Sequence, residues 1–598
     1  MALTSEELKQ QAKAQGRKFW ADLGQLMSAR PDPERPIRKR LMIAGAVFAF
    51  LPLAALIGFR YAYNRLDLLS KGKAPTLNGQ PPAVYAAMVA APLVIVLMLI
   101  VAGVLMATAA ATRQQWLIGL GGWLLANLVI SVFVMLWFKA WQGKIQNYFN
   151  EKQRHGSARF ATDEELEPYA KPTGFYIGGG YHYDKAGHLL TVGSTRSGKG
   201  TTLIIPNLTR MGGFKGSWVV IDPKGENAAI TAKAQAAMGR QVVTLNPWDL
   251  LSLGTSAFNP LDLLEPDSPN LSDDVAMIAE TIVPMSMAKG KDDHFNDRAR
   301  SVITGLLVHL ATSPAHASER NLSTLWRWLR LTAPDWDSLM QAMGKNDHPV
   351  GGDIARTTAF DCVTMAERSE REFGSIMSTC NKWTDYLKSP ALQRDLSSGG
   401  SFKPSDLTDG NTIVYVIIPA DRLKTHAQWL RLVVSTLLRA VVRKPNKDVC
   451  FLLDEFYALG YLSEVETALG AYAGYGVHLW PILQNLVQLR DVYGDNWENF
   501  ISSCSVRQFL TMSDNTTAEY VSTMFGSMSV PTYDALGNVN GATGRPLVSA
   551  DELRRASGGT IFAVVDQLPP AGLRKVAYFD VLTEGKDYDP NPYQLRGA

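Results

Sequence analysis

The stretch Gly193-Ser194-Thr195-Arg196-Ser197-Gly198-Lys199-Gly200-Thr201 constrains this chain more than any other. It follows an apolar strand candidate, His188 to Val192, and opens a helix candidate, Thr201 to Met211. Glycines at both ends let the backbone curl so that successive N–H groups converge on one point, where the helix N-terminus adds partial positive charge. Lys199 stands at the offset from which an ammonium reaches the β and γ phosphates of a nucleotide. A plain Gly/Ser turn between a strand and a helix is the alternative, and the strand, helix and lysine together favour a P-loop. Gly193, Ser194, Thr195, Arg196, Ser197, Gly198, Lys199, Gly200 and Thr201 are therefore read as nucleotide-binding, with ATP and Mg²⁺ as the expected ligands. Gly200 stands where most P-loops carry the Ser or Thr that holds Mg²⁺. Thr201 is assigned that hydroxyl, with Thr202 or a water as the other sources.

A P-loop calls for an acidic partner at the end of a second buried strand. Val449-Cys450-Phe451-Leu452-Leu453-Asp454-Glu455 supplies it. Asp454 is assigned to Mg²⁺, and Glu455 to orienting and deprotonating the attacking water. Trp480-Pro481-Ile482-Leu483-Gln484 closes another strand candidate with an amide, so Gln484 is read as a sensor of the γ phosphate, or else as a surface glutamine capping a strand end. Strand candidates at 188–193, 217–222, 241–246, 412–418, 448–454, 477–483 and 505–512 alternate with helical stretches. Runs such as Thr412 to Ile418 are apolar throughout, the mark of a parallel sheet covered on both faces. The fold class is α/β.

Between Asp262 and Asp406 strand signals vanish and helical periodicity takes over, which predicts an all-α insertion. Its Trp326, Trp328, Trp336 and Trp383 are read as packing residues rather than a platform for bases. Leu396-Ser397-Ser398-Gly399-Gly400-Ser401 loosely resembles the signature loop of ABC transporter ATPases, but it lies too far ahead of Asp454-Glu455 and is read as a loop. Ser527 to Gly544, rich in Gly, Ser and Asn, is expected to be a mobile loop.

Ahead of the P-loop lie three apolar runs, 41–59, 84–111 and 116–138, each near or above the roughly 20 residues that cross a bilayer as a helix. They predict a membrane anchor in the lipid bilayer over 41–140. A cleaved signal peptide is excluded by the 40 polar residues in front. That tail, 1–40, has nine basic residues against five acidic ones, a net +4, which leaves −1 for the rest of a chain at +3. Composition therefore gives no hint of a strongly basic nucleic-acid-binding body, and a polynucleotide would bind at local patches or in a channel. Basic residues packed against residue 41 favour a cytoplasmic tail, and the P-loop must also face ATP. Both ends inside needs an even number of spans, so one of the three runs is re-entrant or peripheral, or the tail breaks the rule. The four cysteines, Cys362, Cys380, Cys450 and Cys504, show no C-x-x-C spacing and read as free thiols of a reducing compartment.

The ordered set of the anchor, His155 to Ala161, Gly193 to Thr201, Asp222-Pro223-Lys224-Gly225-Glu226, Asn246-Pro247-Trp248-Asp249, Phe258-Asn259-Pro260-Leu261, Asp454-Glu455 and Ile482-Leu483-Gln484-Asn485 resembles the type IV secretion coupling proteins, the VirD4/TraG group. In that group the glycine after the P-loop lysine is typical. The resemblance covers roughly 150–585. It implies a RecA-like P-loop NTPase domain, 150–270 and 402–590, with an all-α insertion at 271–401 and N-terminal transmembrane helices. It further implies a homo-hexamer at the bacterial inner membrane with its ATPase domain in the cytoplasm. Such a protein takes a relaxase on single-stranded DNA, or protein effectors, to a type IV secretion channel, and touches the channel's inner-membrane components. By the same resemblance the insertion docks substrate. Some relatives place a trans-acting basic residue where Ala471 to Gly476 has none here, which leaves Arg490 and Arg507 as candidates. A DNA pump of the FtsK type shares the motor but is expected to carry a sequence-reading terminal domain not seen here. A receptor using nucleotide only to hold a hexamer is the third class.

The apolar runs predict that the full chain sediments with membranes and is released by detergent. Recovery in the supernatant after high-speed centrifugation without detergent would contradict the anchor.

Overall fold

The computed structural model describes residues 154–284, 292–396, 402–533, 539–556 and 558–593, with six isolated positions between 117 and 125. The apolar runs 41–59 and 84–111, the tail 1–40 and nearly all of 116–138 lie outside the described residues, as do 397–401 of the transporter-like stretch. No helix among the described residues is long and apolar enough to cross a membrane. The chain divides into two compact units: one of Met1–His155 with Ser529–Thr543, the other of Gly156–Met528 with Gly544–Ala598.

A short antiparallel hairpin, β1 (Phe175–Gly178) and β2 (Tyr181–Tyr183), opens the larger unit. Its main sheet then takes β3 (His188–Val192), β4 (Ser217–Asp222), β5 (Gln241–Leu245), β6 (Thr412–Ile417), β7 (Val449–Leu453), β8 (Val477–Leu483) and β9 (Cys504–Phe509). All seven are parallel, within a residue or a few of the sequence expectation. The sheet order is β13-β12-β9-β3-β8-β7-β4-β6-β5. The two end strands β12 (Thr560–Val565) and β13 (Ala571–Arg574) turn antiparallel and were not anticipated. Between them and β9 in sequence comes a two-stranded ribbon, β10 (Ser527–Tyr533) with β11 (Val539–Pro546). The expected mobile loop at 527–544 is thus corrected over 527–533 and 539–544, which pair as strands with β-branched Val530, Thr532, Val539 and Thr543 among them, while 534–538 lie outside the described residues.

The sheet is covered on both faces, which is why its strands read as unbroken apolar runs. Along β4, Val219 and Ile221 face one core cluster while Trp218 and Val220 face the other. On the first face packs the helix Ala427–Arg443, twelve of whose residues are buried. The second face receives Leu203, Ile204 and Leu208 from the segment after the P-loop.

Between β5 and β6 the described residues contain helices and no strand: Leu271–Ile282, Asp292–Thr312, Leu322–Trp328, Ala333–Gly344, Gly352–Arg368, Glu370–Trp383 and Pro390–Asp395. Leu271–Ile282 buries Leu271, Val275, Ile278, Ala279 and Ile282, one stripe of an amphipathic helix. The core of this helical segment is continuous with that of the sheet's first face. Leu271–Ile282 is also tied to Ala427–Arg443 by the Arg443–Asp274 ion pair and by Arg439, which reaches the Met277 carbonyl and Glu464. Trp328 is buried in this core and Trp326, Trp336 and Trp383 pack against it, so the tryptophans are packing residues. All four cysteines are free and buried.

His188 begins the strand that carries the P-loop. It is 2% exposed, and its Nδ1 accepts the Leu479 N–H at 3.0 Å. Burial, aided by nearby His478, pushes its pKa down to about 4. The unfolded chain takes up a proton near the ordinary histidine value that the folded chain refuses until about pH 4, so this stabilisation is complete above neutrality and is lost as pH falls. Between pH 7 and pH 5 the cost is about 2 kcal/mol. Buried Asp395, raised to about 7 by desolvation, works in the opposite sense, so the test is a difference. Wild type is expected to lose about 2 kcal/mol more than His188→Gln on going from pH 7 to pH 5 in denaturant melts; equal losses would contradict it.

Candidate nucleotide site

β3, β8 and β7 lie side by side and run the same way, so their C-terminal ends deliver Gly193, Gln484 and Asp454-Glu455 to one edge of the sheet. The P-loop begins with Gly193 N–H donating to the Leu483 carbonyl (3.0 Å) and Ser194 N–H to the Thr511 carbonyl (3.0 Å), which pins it to β8 and to the chain after β9. Arg196 (φ 62°) and Gly198 (φ 89°) are left-handed, which folds the loop back on itself. A Cβ on Gly193 would stand 2.7 Å from Ser197 Oγ and 2.9 Å from Leu510 Cβ, so no side chain fits there. Helix geometry starts at Gly200, in π form to Ile204 and as a short α segment Ile205–Asn207, ending short of the expected Met211.

Lys199 Nζ donates to the Gly193 carbonyl at 2.5 Å and lies 3.5 Å from that of Leu483. Burial lowers the pKa of its ammonium, and the charges of Asp454 and Glu455 oppose that shift. Protein packs densely round the Asp454 carboxylate, and desolvation, then Glu455, raises its pKa to about 6 against the pull of Lys199 and Lys224. Glu455 is itself left-handed (φ 51°). Gln484 joins the parts: its Nε2 lies 3.3 and 3.4 Å from the Glu455 carboxylate oxygens, and its Oε1 accepts the Thr195 hydroxyl at 3.4 Å. The structure thus brings together Lys199, Asp454, Glu455, Gln484 and the P-loop.

The donor set suits a polyphosphate with a divalent cation. Ser197 Oγ is buried without a hydrogen-bond partner, and in the first turn of the helix at Gly200 the Thr202 N–H donates to the Gly198 carbonyl (2.9 Å) while the N–H groups of Gly200 and Thr201 precede any intrahelical acceptor. Of the two threonine hydroxyls, that of Thr202 is buried and bonds the Gly198 carbonyl at 2.7 Å, whereas Thr201 is partly exposed with a looser 3.2 Å bond to the same oxygen. Thr201 is the freer to join Asp454 on a metal. A cation held by one carboxylate, one hydroxyl and phosphate oxygens needs no protein cage, and the described residues contain no cluster of three or more His, Cys, Asp or Glu suited to a metal.

Three residues near the site had been given no role. Asp222 ends β4, and its buried carboxylate accepts the Ala228 N–H at 2.8 Å, anchoring the helix Glu226–Ala237. Desolvation lifts its pKa to about 7. Lys224, two residues on, acts electrostatically on both Lys199 and Asp454. Its turn is braced by the C-terminal segment, with Tyr593 Oη donating to the Lys224 carbonyl (2.7 Å) and Asn591 Nδ2 to Glu226 (2.6 Å). Lys575 Nζ donates to the Ser197 carbonyl of the P-loop at 2.9 Å. Lys224 lies within Asp222-Pro223-Lys224-Gly225-Glu226, whereas nothing in the sequence local to Lys575 signals its contact. Of the trans-acting candidates, Arg490 is exposed. Arg507 stands lower on its strand, donating to the Asp566 carbonyl (3.1 Å) and lining a cleft of about 580 Å³ with Lys185, Tyr169 and Cys504.

The parallel sheet, with a Gly-rich loop after β3 and an acidic strand end two strands away on β7, fits a RecA-like P-loop fold. A family model described as type IV secretory system conjugative DNA transfer matches residues 139–595, and the chain belongs to that family. It is 28% identical over 477 residues to Protein VirD4 of Agrobacterium fabrum, covering 72% of this chain and 67% of that one. With the conjugal transfer protein TraG of the same organism it shares 29% identity over 340 residues, 56% of this chain and only 50% of the relative's length. Among solved structures, the bacterial conjugative coupling protein TrwB lacking its N-terminal segment superimposes with a TM-score of 0.55 at 17% identity. That match covers 70% of this chain and 92% of the other. TrwB has also been solved with ADP and Mg²⁺, at the same TM-score and identity.

The two glycines of the loop are expected to behave oppositely. Gly193→Ala forces the 2.7 Å contact and should cost about 1–3 kcal/mol by overpacking, with loss of ADP binding. Gly200 has open space around its Cβ position, so Gly200→Ala should retain binding and gain up to about 1 kcal/mol. Thermal melts and ADP titration check both; equal behaviour of the two variants would contradict the loop geometry.

Proposed function

We propose that this chain is a membrane-anchored, hexameric ATPase that couples substrate to a type IV secretion channel. The observation that carries the reading is the meeting of Lys199, Asp454, Glu455 and Gln484 around the P-loop. Membership of the conjugative DNA transfer family supports it. So does a relative from Bartonella quintana described as type IV secretion system-coupling protein VirD4, 28% identical over 353 residues. The cargo is single-stranded DNA with its bound relaxase, or an effector protein, and the helical segment 271–401 docks it. The apolar runs of 41–140 hold the protein in the bacterial inner membrane beside the channel's components, with the ATPase domain in the cytoplasm.

In this reading Lys199 turns from the Gly193 carbonyl to the β and γ phosphates and offsets their charge. Asp454 and Thr201 would hold Mg²⁺, which would supply further charge neutralisation for the phosphates. Glu455 orients the attacking water and takes its proton as the bond to the γ phosphorus forms and ADP departs. Gln484 bridges Glu455 and Thr195, so loss of the γ phosphate is felt on β8.

Binding and hydrolysis are separable. Lys199→Ala removes a charged phosphate contact and should weaken ATP binding by about 2–5 kcal/mol. Glu455→Gln keeps size and hydrogen-bonding capacity without the base, so it should bind ATP normally and hydrolyse it ~10²–10⁴-fold slower. The purified variants are compared for ATP affinity and turnover, and both should be inactive in transfer of the natural substrate. Wild-type turnover in Glu455→Gln would overturn the assignment of the Asp454-Glu455 strand.

A further inference from the structure

Lys575 comes from the far end of the sheet. β13 is antiparallel to β12, and β12 is antiparallel to β9, so β13 points the same way as β3 although two strands lie between them. Its C-terminal end therefore emerges on the P-loop edge. There Lys575 N–H is fixed by the Gly559 carbonyl (2.9 Å), and the side chain reaches across to the Ser197 carbonyl (2.9 Å). This ammonium is partly buried and has no ion pair among the described residues. Burial lowers its pKa. An ammonium held in partial burial against one neutral acceptor is costly, and here the cost is met at the phosphate-binding loop.

The carbonyl it holds is not an arbitrary one. A trans peptide is planar, so the Ser197 C=O and the Gly198 N–H point in opposite directions from one rigid unit. That unit ends in the left-handed Gly198, and a glycine, lacking a Cβ, takes either sign of φ, so the plane depends on an anchor to hold one orientation. Anchoring the carbonyl on the outside of the loop aims the Gly198 N–H at its inside, where the phosphates of a nucleotide sit.

We propose that Lys575 is a positioning residue for diphosphate recognition, acting through the Ser197–Gly198 peptide and tying the last strand of the sheet to the nucleotide. The inference rests on the nucleotide-site reading above. Both ADP and ATP present the phosphate that this N–H meets, so the contribution is to binding in general, and turnover at saturation is unaffected.

The test uses the full chain in detergent with ADP and ATP as probes and AMP as the control lacking the β phosphate. Lys575→Met should weaken ADP and ATP about 10-fold, leave AMP competition unchanged and keep kcat within two-fold. Lys575→Arg, which keeps a cationic donor, should restore ADP affinity to within two-fold of wild type. Unchanged ADP affinity in Lys575→Met overturns the proposal while leaving the nucleotide site standing. Equal loss for ADP and AMP, or failure of Lys575→Arg to rescue, assigns Lys575 a structural role only and also overturns it. Absence of ADP binding in wild type removes the nucleotide reading itself.

Discussion

The ammonium of Lys199, enclosed among strand ends and facing two carboxylates, is the interaction on which this architecture turns. Burial disfavours its charge, and Asp454 and Glu455 oppose that cost, while Lys199 in turn holds the Asp454 pKa below the level that burial and Glu455 would impose. Neither sign of charge is comfortable alone at this edge of the sheet. The arrangement exists because β8 separates β3 from β7 by one strand, which sets lysine and carboxylates close enough to act on each other and leaves Gln484 between them.

Two of the six left-handed non-glycine residues among the described residues fall at the same place. Arg196 and Glu455 are non-glycine residues in the left-handed region, a conformation that persists only where the surroundings impose it. Arg196 reverses the P-loop, and Glu455 turns away from β7 so that its carboxylate meets Gln484. The bracing comes from distant parts of the sequence: Thr511 on the Ser194 N–H, Lys575 on the Ser197 carbonyl, and the C-terminal segment on the turn at Lys224.

The parallel strands were legible because both of their faces are buried, so the apolar run is the whole signal: β4, β6, β7 and β8 are buried at every position. The P-loop and Asp454-Glu455 were legible because their chemistry demands fixed residue types at fixed offsets. β13 was not, since an edge strand of four residues with alternating exposure carries little pattern. Lys575 was invisible for the same reason, its place being set by two reversals of strand direction. The start of the helical segment at 271 was drawn by the loss of strand signals. Periodicity could not reveal that Leu271–Ile282 shares its core with Ala427–Arg443. The ribbon β10–β11 was missed because Gly and Asn outweighed the β-branched residues between them.

Whether this edge of the sheet holds a nucleoside diphosphate is decided by a structure of the full chain with ADP and Mg²⁺ bound. The diphosphate is expected inside the Gly193–Thr201 loop, with Lys199 Nζ moved from the Gly193 carbonyl onto a phosphate oxygen and the metal beside Thr201 and Asp454. A nucleotide seated elsewhere, or Lys199 still on the Gly193 carbonyl with the diphosphate outside the loop, would contradict it.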